Sequence, residues 1–218
     1  MESLTAKDLS NKWKKFTNDN QDREIFVYSK IKTNEIEKSI FLESKNFKLI
    51  ETNIVFELKS GSLIEKFNDK NVEIKFADGK HKNSVASLAK NNFKYSRFHQ
   101  DPKINNNTAD LIKYSWAENF FLEHRGDQMI LGFVEGKVVA FLQLIFSDDD
   151  IIIDLIAVDK KVRGRKLGCG LIQFAVNNIR HSSVKVGTQI SNTSSIRLYQ
   201  KLGFKFSDSN YVFHFHSK

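Results

Sequence analysis

Apolar positions along the chain recur at two spacings, and together they predict strands alternating with helices. The first 22 residues are polar apart from Leu4, Leu9, Trp13 and Phe16, a spacing that suits a short amphipathic helix. Arg23–Ser29 reads as a strand. Thr33 then caps a helix over 34–44, with Glu35 and Glu37 in the first turn, where the helix dipole favours acids. Lys48–Leu58 is a second strand, alternating at Ile54, Phe56 and Leu58, and the polar stretch 59–71 reads as a loop. Val72–Phe76 predicts a strand with one wet face, and 82–91 a helix with Val85, Leu88 and Ala89 inward. Tyr95–Lys103 is irregular and rich in functional side chains. A helix over 109–123 follows, carrying Tyr114, Trp116 and Phe120. Runs 128–135 and 138–146, joined at Glu135-Gly136-Lys137, predict a hairpin.

The last third is patterned most strongly. Ile151–Val158 is a near-continuous apolar run, expected to be a strand buried on both faces. Leu171, Ile172, Ala175, Val176 and Ile179 repeat at helical spacing. Val184–Ile190 is another strand, and a short helix carries Tyr199. Lys205–His216 closes the chain as a strand, with Tyr211, Phe213 and Phe215 on one face and Val212, His214 and His216 on the other. No internal repeat or low-complexity segment interrupts this order.

Composition narrows the class. Hydrophobic content of 40% and charged content of 28% over 218 residues fit one large or two small globular domains. We divide them at 1–65, a small N-terminal α/β domain, and 66–218. The single cysteine excludes an internal disulfide framework and suits a reducing cytoplasm. No apolar run approaches a membrane span, and Met1-Glu2-Ser3 does not begin a secretory signal. The net charge of +8 fits a protein that handles phosphates, and equally a solvated lysine-rich surface. His214 and His216 lack a third partner at metal-ligand spacing, so no metal is expected.

Candidate chemistry gathers after Val158. The segment Lys160–Gly170 is basic and carries Gly164, Gly168 and Gly170 between a strand and a helix. Free N–H groups and a partial positive charge at a helix start bind phosphate, and glycine lets backbone approach a ligand closely.

Arg163-Gly-Arg-Lys-Leu-Gly168 resembles the acetyl-CoA pyrophosphate loop of the GCN5-related N-acetyltransferases (GNAT), R/Q-x-x-G-x-G/A, with Lys166 in place of the first usual glycine. A register two residues later, Arg165-x-x-Gly168-x-Gly170, restores both glycines; the first register keeps the usual distance from Val158. Asn192 and Tyr199-Gln-Lys-Leu-Gly-Phe204 resemble that family's N-x6-Y-x3-GF motif. Ser96-Arg97-Phe98, a helix containing Trp116, Ile153–Ile156, Thr188-Gln189 and Tyr211–His214 are further similar to the dTDP-fucosamine acetyltransferases.

The resemblance implies an α/β (α+β) acyl-CoA N-acyltransferase fold with a mixed, splayed central sheet. It implies acetyl-CoA as co-substrate, lying between the strands at Leu155–Val158 and Val186–Ile190. Ile156, Ala157 and Val158 would pair with pantetheine; Arg163, Gly164, Arg165, Lys166, Leu167, Gly168 and Cys169 would hold the pyrophosphate, and Asn192 the pantetheine chain. Tyr199 would be the general acid, and Asp154, Glu118 and His99 are candidate bases, directly or through water, among which the choice stays open. Ser96, Arg97, Phe98, Trp116 and Gln189 would bind the acceptor, a nucleotide-linked 4-amino-4,6-dideoxyhexose of surface-glycan assembly. A homodimer is implied by resemblance alone, and the cytoplasm is the location that the single cysteine suits. Two rivals stand beside it: another acceptor such as a protein N-terminus or polyamine, and a non-catalytic basic module that binds nucleic acid. Each residue also has a plainer reading. Arg97 can pair with an internal acid, Trp116 and Phe120 can be core, and Cys169 is a small packing residue rather than a nucleophile.

Overall fold

In chain order the elements are α1 (Ala6–Asp19), β1 (Phe26–Lys32), α2 (Ile36–Ser44), β2 (Lys48–Lys59), β3 (Val72–Phe76), α3 (Lys82–Asn92), α4 (Arg97–Gln100), α5 (Asn106–Phe121), β4 (Gln128–Val134), β5 (Lys137–Ser147), β6 (Asp150–Val158), α6 (Leu167–Asn178), β7 (Ser183–Gln189), α7 (Thr193–Lys201) and β8 (Lys205–His216). The structure is a computed structural model describing residues 6–20, 22–62 and 66–217, so Leu4 falls outside it. The alternation of strands and helices is the expected mixed α/β architecture. Of the described residues, those up to Asn53 with those from Asp208 form one unit and those from Ile54 to Ser207 another, with β2 and β8 contributing residues to each. No helix among the described residues is long and apolar enough to cross a membrane.

In the smaller unit the strand order is β1-β8-β2. β1 and β8 pair antiparallel from Phe26↔His216 to Lys32↔Asn210. Ile31, Leu42, Phe47 and Phe213 are its buried core, with Trp13, Tyr211 and Phe215 packed against them. The Trp13 ring sits 5.0 Å from Phe47 and 4.9 Å from Phe215. The first strand begins three residues later than Arg23. Thr33 does not cap α2: Glu35 holds the N-cap position, and the Thr33 hydroxyl lies 2.7 Å from Ser209 Oγ.

In the larger unit the order is β2-β7-β6-β5-β4-β3, with β6 and β7 parallel and β3 to β6 antiparallel in turn. Helices α3 and α5 cover one face, where Val85, Leu88, Ala89 and Ala117 meet Met129, Leu131, Phe133, Phe141, Leu155 and Ala157. Helix α6 covers the other, where Leu167, Leu171, Ile172 and Ala175 meet Ile130, Leu142, Leu144, Ile151, Ile153, Val184 and Val186. Each large apolar side chain sealed in this way contributes about 1.5–3 kcal/mol relative to exposure.

Local chemistry sets the ends. Glu135 and Gly136 both have positive φ, 50° and 73°, which matches the right-handed twist of the hairpin they close. Asn105 Oδ1 accepts the Thr108 N–H at 2.9 Å, so α5 starts at Asn106 rather than Ala109. Tyr95–Lys103, expected to be irregular, contains the single turn α4.

β6 departs from the expected pattern in an informative way. Its residues alternate between buried and half-buried, instead of being sealed on both faces. Pairing with β5 shifts register so that Gln143 faces Leu155 and Leu144 faces Ile153, which leaves Asp154 as an extra residue. One inserted residue exchanges the two faces of a strand. Ile151 and Ile153 therefore share the α6-side core with Ile156 and Val158, while Leu155 and Ala157 lie in the core under α3 and α5.

Candidate active site

The same bulge marks where β6 leaves β7. Their parallel register runs from Asp150↔Ser183 to Ile153↔Val186. At that closed end Ser183 Oγ donates to Asp150 Oδ1 at 2.7 Å, and the Lys185 ammonium is paired with the same carboxylate. Lys185, with Ser183 after it, holds the Asp150 carboxyl below its ordinary value. Beyond Ile153 and Val186 each strand continues, β6 to Val158 and β7 to Gln189. Toward β5, Leu155–Val158 are still paired; toward β7 the two edges diverge. Separated strand edges offer main-chain N–H and C=O groups to an extended ligand.

A cavity of about 470 Å³ opens there. Its walls include Ile153–Val158, Val186–Gln189, Asn192, Leu198 and Tyr199, its floor Arg163, Gly164 and Lys166–Cys169, and its rim Tyr95, Ser96 and Lys113. The floor is the start of α6. Lys166 occupies the N-cap in the left-handed region at φ 58°, ψ 23°. The Gly170 N–H is the first to reach back into the helix, to the Lys166 carbonyl at 3.1 Å. Leu167 and Gly168 line the cavity in the first turn, where a helix start leaves N–H groups over, beside Arg163 and Lys166. An anion fits that floor.

The two glycines of the alternative registers have different neighbours. A Cβ on Gly170 would lie 2.8 Å from Phe67 and Ile74, so Gly170 serves close packing against β3. Gly168 lines the cavity, and a Cβ there would meet Leu198 at 3.1 Å. Arg165, included in the phosphate loop from sequence, lies outside the cavity lining and gives two hydrogen bonds to Asp69 Oδ2, at 3.0 and 2.9 Å.

Tyr199 lines the cavity from α7 while only 2% exposed. Phe204 at 5.6 Å and Phe56 at 6.1 Å hold its ring. Burial pushes its phenol above the ordinary value of 10, so it carries its proton throughout the neutral range. Asn192 caps α7: its Oδ1 accepts from Ser195 N–H at 3.3 Å and Ser194 Oγ at 3.0 Å. Its amide N–H groups are the donors left for a ligand.

Asp154 also lines the cavity, with its carboxylate engaged from behind. Arg125 grips both oxygens, Nε to Oδ2 at 2.8 Å and Nη2 to Oδ1 at 2.6 Å, and Gln143 Nε2 adds a third bond at 2.9 Å. Arg125 in turn lies 4.1 Å over Trp116. Trp116 and Phe98 pack edge to face at 5.6 Å, Arg97 stacks on Phe98 at 4.8 Å, and none of these three lines the cavity. Ser96 and Gln189 do. Glu118 stands apart, 3.7 Å from Lys82. The pattern along the chain did not single out Arg125, Gln143 or Lys113. Lys113 is buried, with its ammonium 4.2 Å over Trp116. The spacing of three between Lys113 and Trp116 on one helix is the signal that could have found it. Arg125 and Gln143 meet Asp154 only through the fold.

Residues 92–204, just over half of the chain, match the family model described as the acetyltransferase (GNAT) family. The chain is 32% identical over 134 residues to the spore coat polysaccharide biosynthesis protein SpsD of Bacillus subtilis, covering 60% of this chain and 46% of that protein. It is 30% identical over 94 residues to N-acetylaspartate synthetase of Xenopus tropicalis, covering 40% of this chain and 34% of that one. The chain thus spans less than half the length of each of these relatives. Among solved structures, a GCN5-related N-acetyltransferase from Sphaerobacter thermophilus aligns with a TM-score of 0.63 at 14% identity, over 95% of this chain and 65% of that chain. A conserved protein of unknown function from Staphylococcus epidermidis aligns at 0.68 and 13% identity, over 99% and 82%. At such identities the likeness is one of fold.

Proposed function

The chain belongs to the GNAT family of acetyltransferases, and on that premise we propose that it transfers an acetyl group from acetyl-CoA to the 4-amino group of a nucleotide-linked 4-amino-4,6-dideoxyhexose, with dTDP as the carrier. The observation that carries the transfer reading is the gap beyond Ile153 and Val186, with the start of a helix at one end and a protonated phenol on its wall. Acetyl-CoA is a substrate here. The amides of Leu167, Gly168 and Cys169, with Arg163 and Lys166, suit its pyrophosphate. The free edge of β6 at Ile156–Val158 suits pantetheine, with Asn192 adding a donor.

The chemistry follows from those parts. The amine nitrogen attacks the thioester carbon, the C–N bond forms, and the C–S bond breaks as the tetrahedral intermediate collapses. A main-chain N–H at Val158 polarises the carbonyl oxygen; a donor of this kind is worth about 3–4 kcal/mol in the transition state. Tyr199 gives its proton to the departing thiolate. Asp154 contributes from a fixed place, since Arg125 and Gln143 hold it where the bulge separates the strands. The transfer is direct: Cys169 is buried in the first turn of α6 and forms no acyl-enzyme.

For the acceptor, the likeness to a polysaccharide biosynthesis protein supports a sugar. Ser96 and Gln189 face the cavity, with Arg97, Phe98 and Trp116 packed as the group next to Ser96 in sequence and space. The likeness to N-acetylaspartate synthetase favours a second reading, a small anionic amine, and the buried Lys113 ammonium on the cavity rim would serve either anion. Incubation of the whole chain with acetyl-CoA and a panel of amines, read by mass spectrometry, decides. The panel holds dTDP- and UDP-linked 4-amino sugars, aspartate, a peptide N-terminus and spermidine. Acetylation of the nucleotide sugars alone is the expected result; selective acetylation of aspartate, peptide or spermidine overturns the sugar assignment.

A further inference from the structure

We infer that Ser96, His99 and Asp110 form a relay that removes the proton from the acceptor ammonium, with Ser96 Oγ as the atom that touches the amine. This rests on the transfer reading above and adds the step that makes the amine a nucleophile. An amine in neutral water is largely an ammonium ion with no lone pair to offer, so a group in the cavity has to take its proton.

The three side chains are joined end to end. Ser96 Oγ lies 2.6 Å from His99 Nδ1, and His99 Nε2 lies 3.0 Å from Asp110 Oδ1. Hydrogen-bond chemistry fixes the direction. An ionised carboxylate only accepts, so Nε2 carries the hydrogen; Nδ1 is then the lone pair, and the Ser96 hydroxyl donates to it. The first member reaches the cavity, since Ser96 lines it while only 6% exposed. The imidazole is enclosed, with its side chain 8% exposed, and Asp110 reaches solvent at 31%. The chain thus runs from the cavity through a sealed ring to water.

Ser96 is also the N-cap residue of α4, where a serine hydroxyl ordinarily accepts a backbone N–H. Here it makes no such cap bond; the hydroxyl is spent on the imidazole. α4 itself is tethered to the site, because Gln100 Nε2 donates to Ser191 Oγ at 3.1 Å, one residue before Asn192. The rival carboxylates are committed elsewhere, Asp154 to Arg125 and Gln143 and Glu118 to Lys82.

The protons balance. The ammonium gives one proton to Ser96 Oγ as the serine proton passes to His99 Nδ1, and Asp110 stabilises the imidazolium. The neutral amine then attacks the thioester. The second nitrogen proton ends on coenzyme A sulfur by way of Tyr199, and the imidazolium returns its proton to solvent through the Asp110 end. Ser96 is the catalytic residue of this step, His99 the proton store and Asp110 a positioning residue.

The test compares wild type with Ser96→Ala, Ser96→Thr, His99→Gln and Asp110→Asn, using the best amine of the panel and, as small probes, ethanolamine and hydroxylamine. Ser96→Ala and His99→Gln should lower kcat for the basic amines by about 10²- to 10³-fold with acetyl-CoA binding unchanged by calorimetry. Ser96→Thr, which keeps the hydroxyl, should restore most of that loss. Hydroxylamine arrives neutral, so the deficit should shrink with it. Full turnover in Ser96→Ala or His99→Gln, or an equal deficit with all amines, overturns the relay. The ring nitrogens give a reading that needs no acceptor: 15N NMR should find His99 protonated at Nε2, and a proton at Nδ1 overturns the relay. A wild type inert toward every amine sinks the transfer reading instead, with the NMR result still judging the hydrogen-bond chain.

Discussion

Tyr199→Phe separates two properties of one hydroxyl, and each has its own assay. The ring is 2% exposed and fixed by Phe56 and Phe204, contacts that phenylalanine keeps. Stability at neutral pH should therefore change by less than about 1 kcal/mol. Turnover should not survive so well, because loss of a positioned general acid lowers kcat by about 10²- to 10⁴-fold, while acetyl-CoA binding measured by calorimetry stays put. The pH dependence of stability tests the burial itself. Burial raises the folded phenol above 10, the value the unfolded chain keeps. Below pH 10 both states hold the proton and the group is silent. Above it the unfolded chain releases the proton first, so folding stability falls as pH rises, until the folded phenol ionises too. Linkage puts the loss at about 1 kcal/mol between pH 10 and pH 11 for this one group. Denaturant melts of wild type and Tyr199→Phe across pH 8 to 11 isolate it from the other tyrosines and lysines. The wild type should lose stability relative to the variant above pH 10. A difference that stays flat would refute the sealed phenol, and unchanged kcat would refute its role as acid.

Four further substitutions probe the start of α6 and the bulge. Gly170→Val drives a branched side chain into Phe67 and Ile74, where even a Cβ would sit at 2.8 Å, and should cost about 1–3 kcal/mol in thermal or denaturant unfolding. Gly168→Glu instead puts a carboxylate in the cavity and should abolish acetyl-CoA binding by calorimetry; normal binding would reject the loop. Asp154→Asn leaves Arg125 without its carboxylate and should destabilise the fold by about 1–3 kcal/mol, discounted for the partial exposure of the arginine. Arg125→Gln should lower kcat alongside it if Asp154 acts from a held position. Full activity in Arg125→Gln with none in Asp154→Asn would make Asp154 the proton acceptor in its own right.

What could be read along the chain was whatever is local. Glu135-Gly136 announces its turn because both residues must take positive φ, and Val72–Phe76 announces its strand by strict alternation. The order strand, glycine loop, helix, strand, Asn192, Tyr199 needs no coordinates either, since a helix start and a phenol are recognised by the residues beside them. Partners distant in sequence were invisible: Arg165 reads as a phosphate ligand until Asp69, 96 residues earlier, is found holding it. The strand Ile151–Val158, expected to be sealed on both faces, alternates instead, and which residue faces which core was not legible for a definite reason. Period-two counting along Ile151–Val158 puts Ile153, Leu155 and Ala157 together, but the extra residue at Asp154 resets the parity, so that Ile153 and Ile156 share one core and Leu155 the opposite one. A bulge is a property of a pair of strands, and no single strand's sequence contains it. That inserted residue sits where β6 and β7 stop pairing, and the side chain it carries is the one tied down by Arg125 and Gln143. A charged side chain in an apolar strand would ordinarily be a fault. Here the bulge turns it toward two partners, so that the residue breaking the hydrophobic pattern sits where the cleft opens.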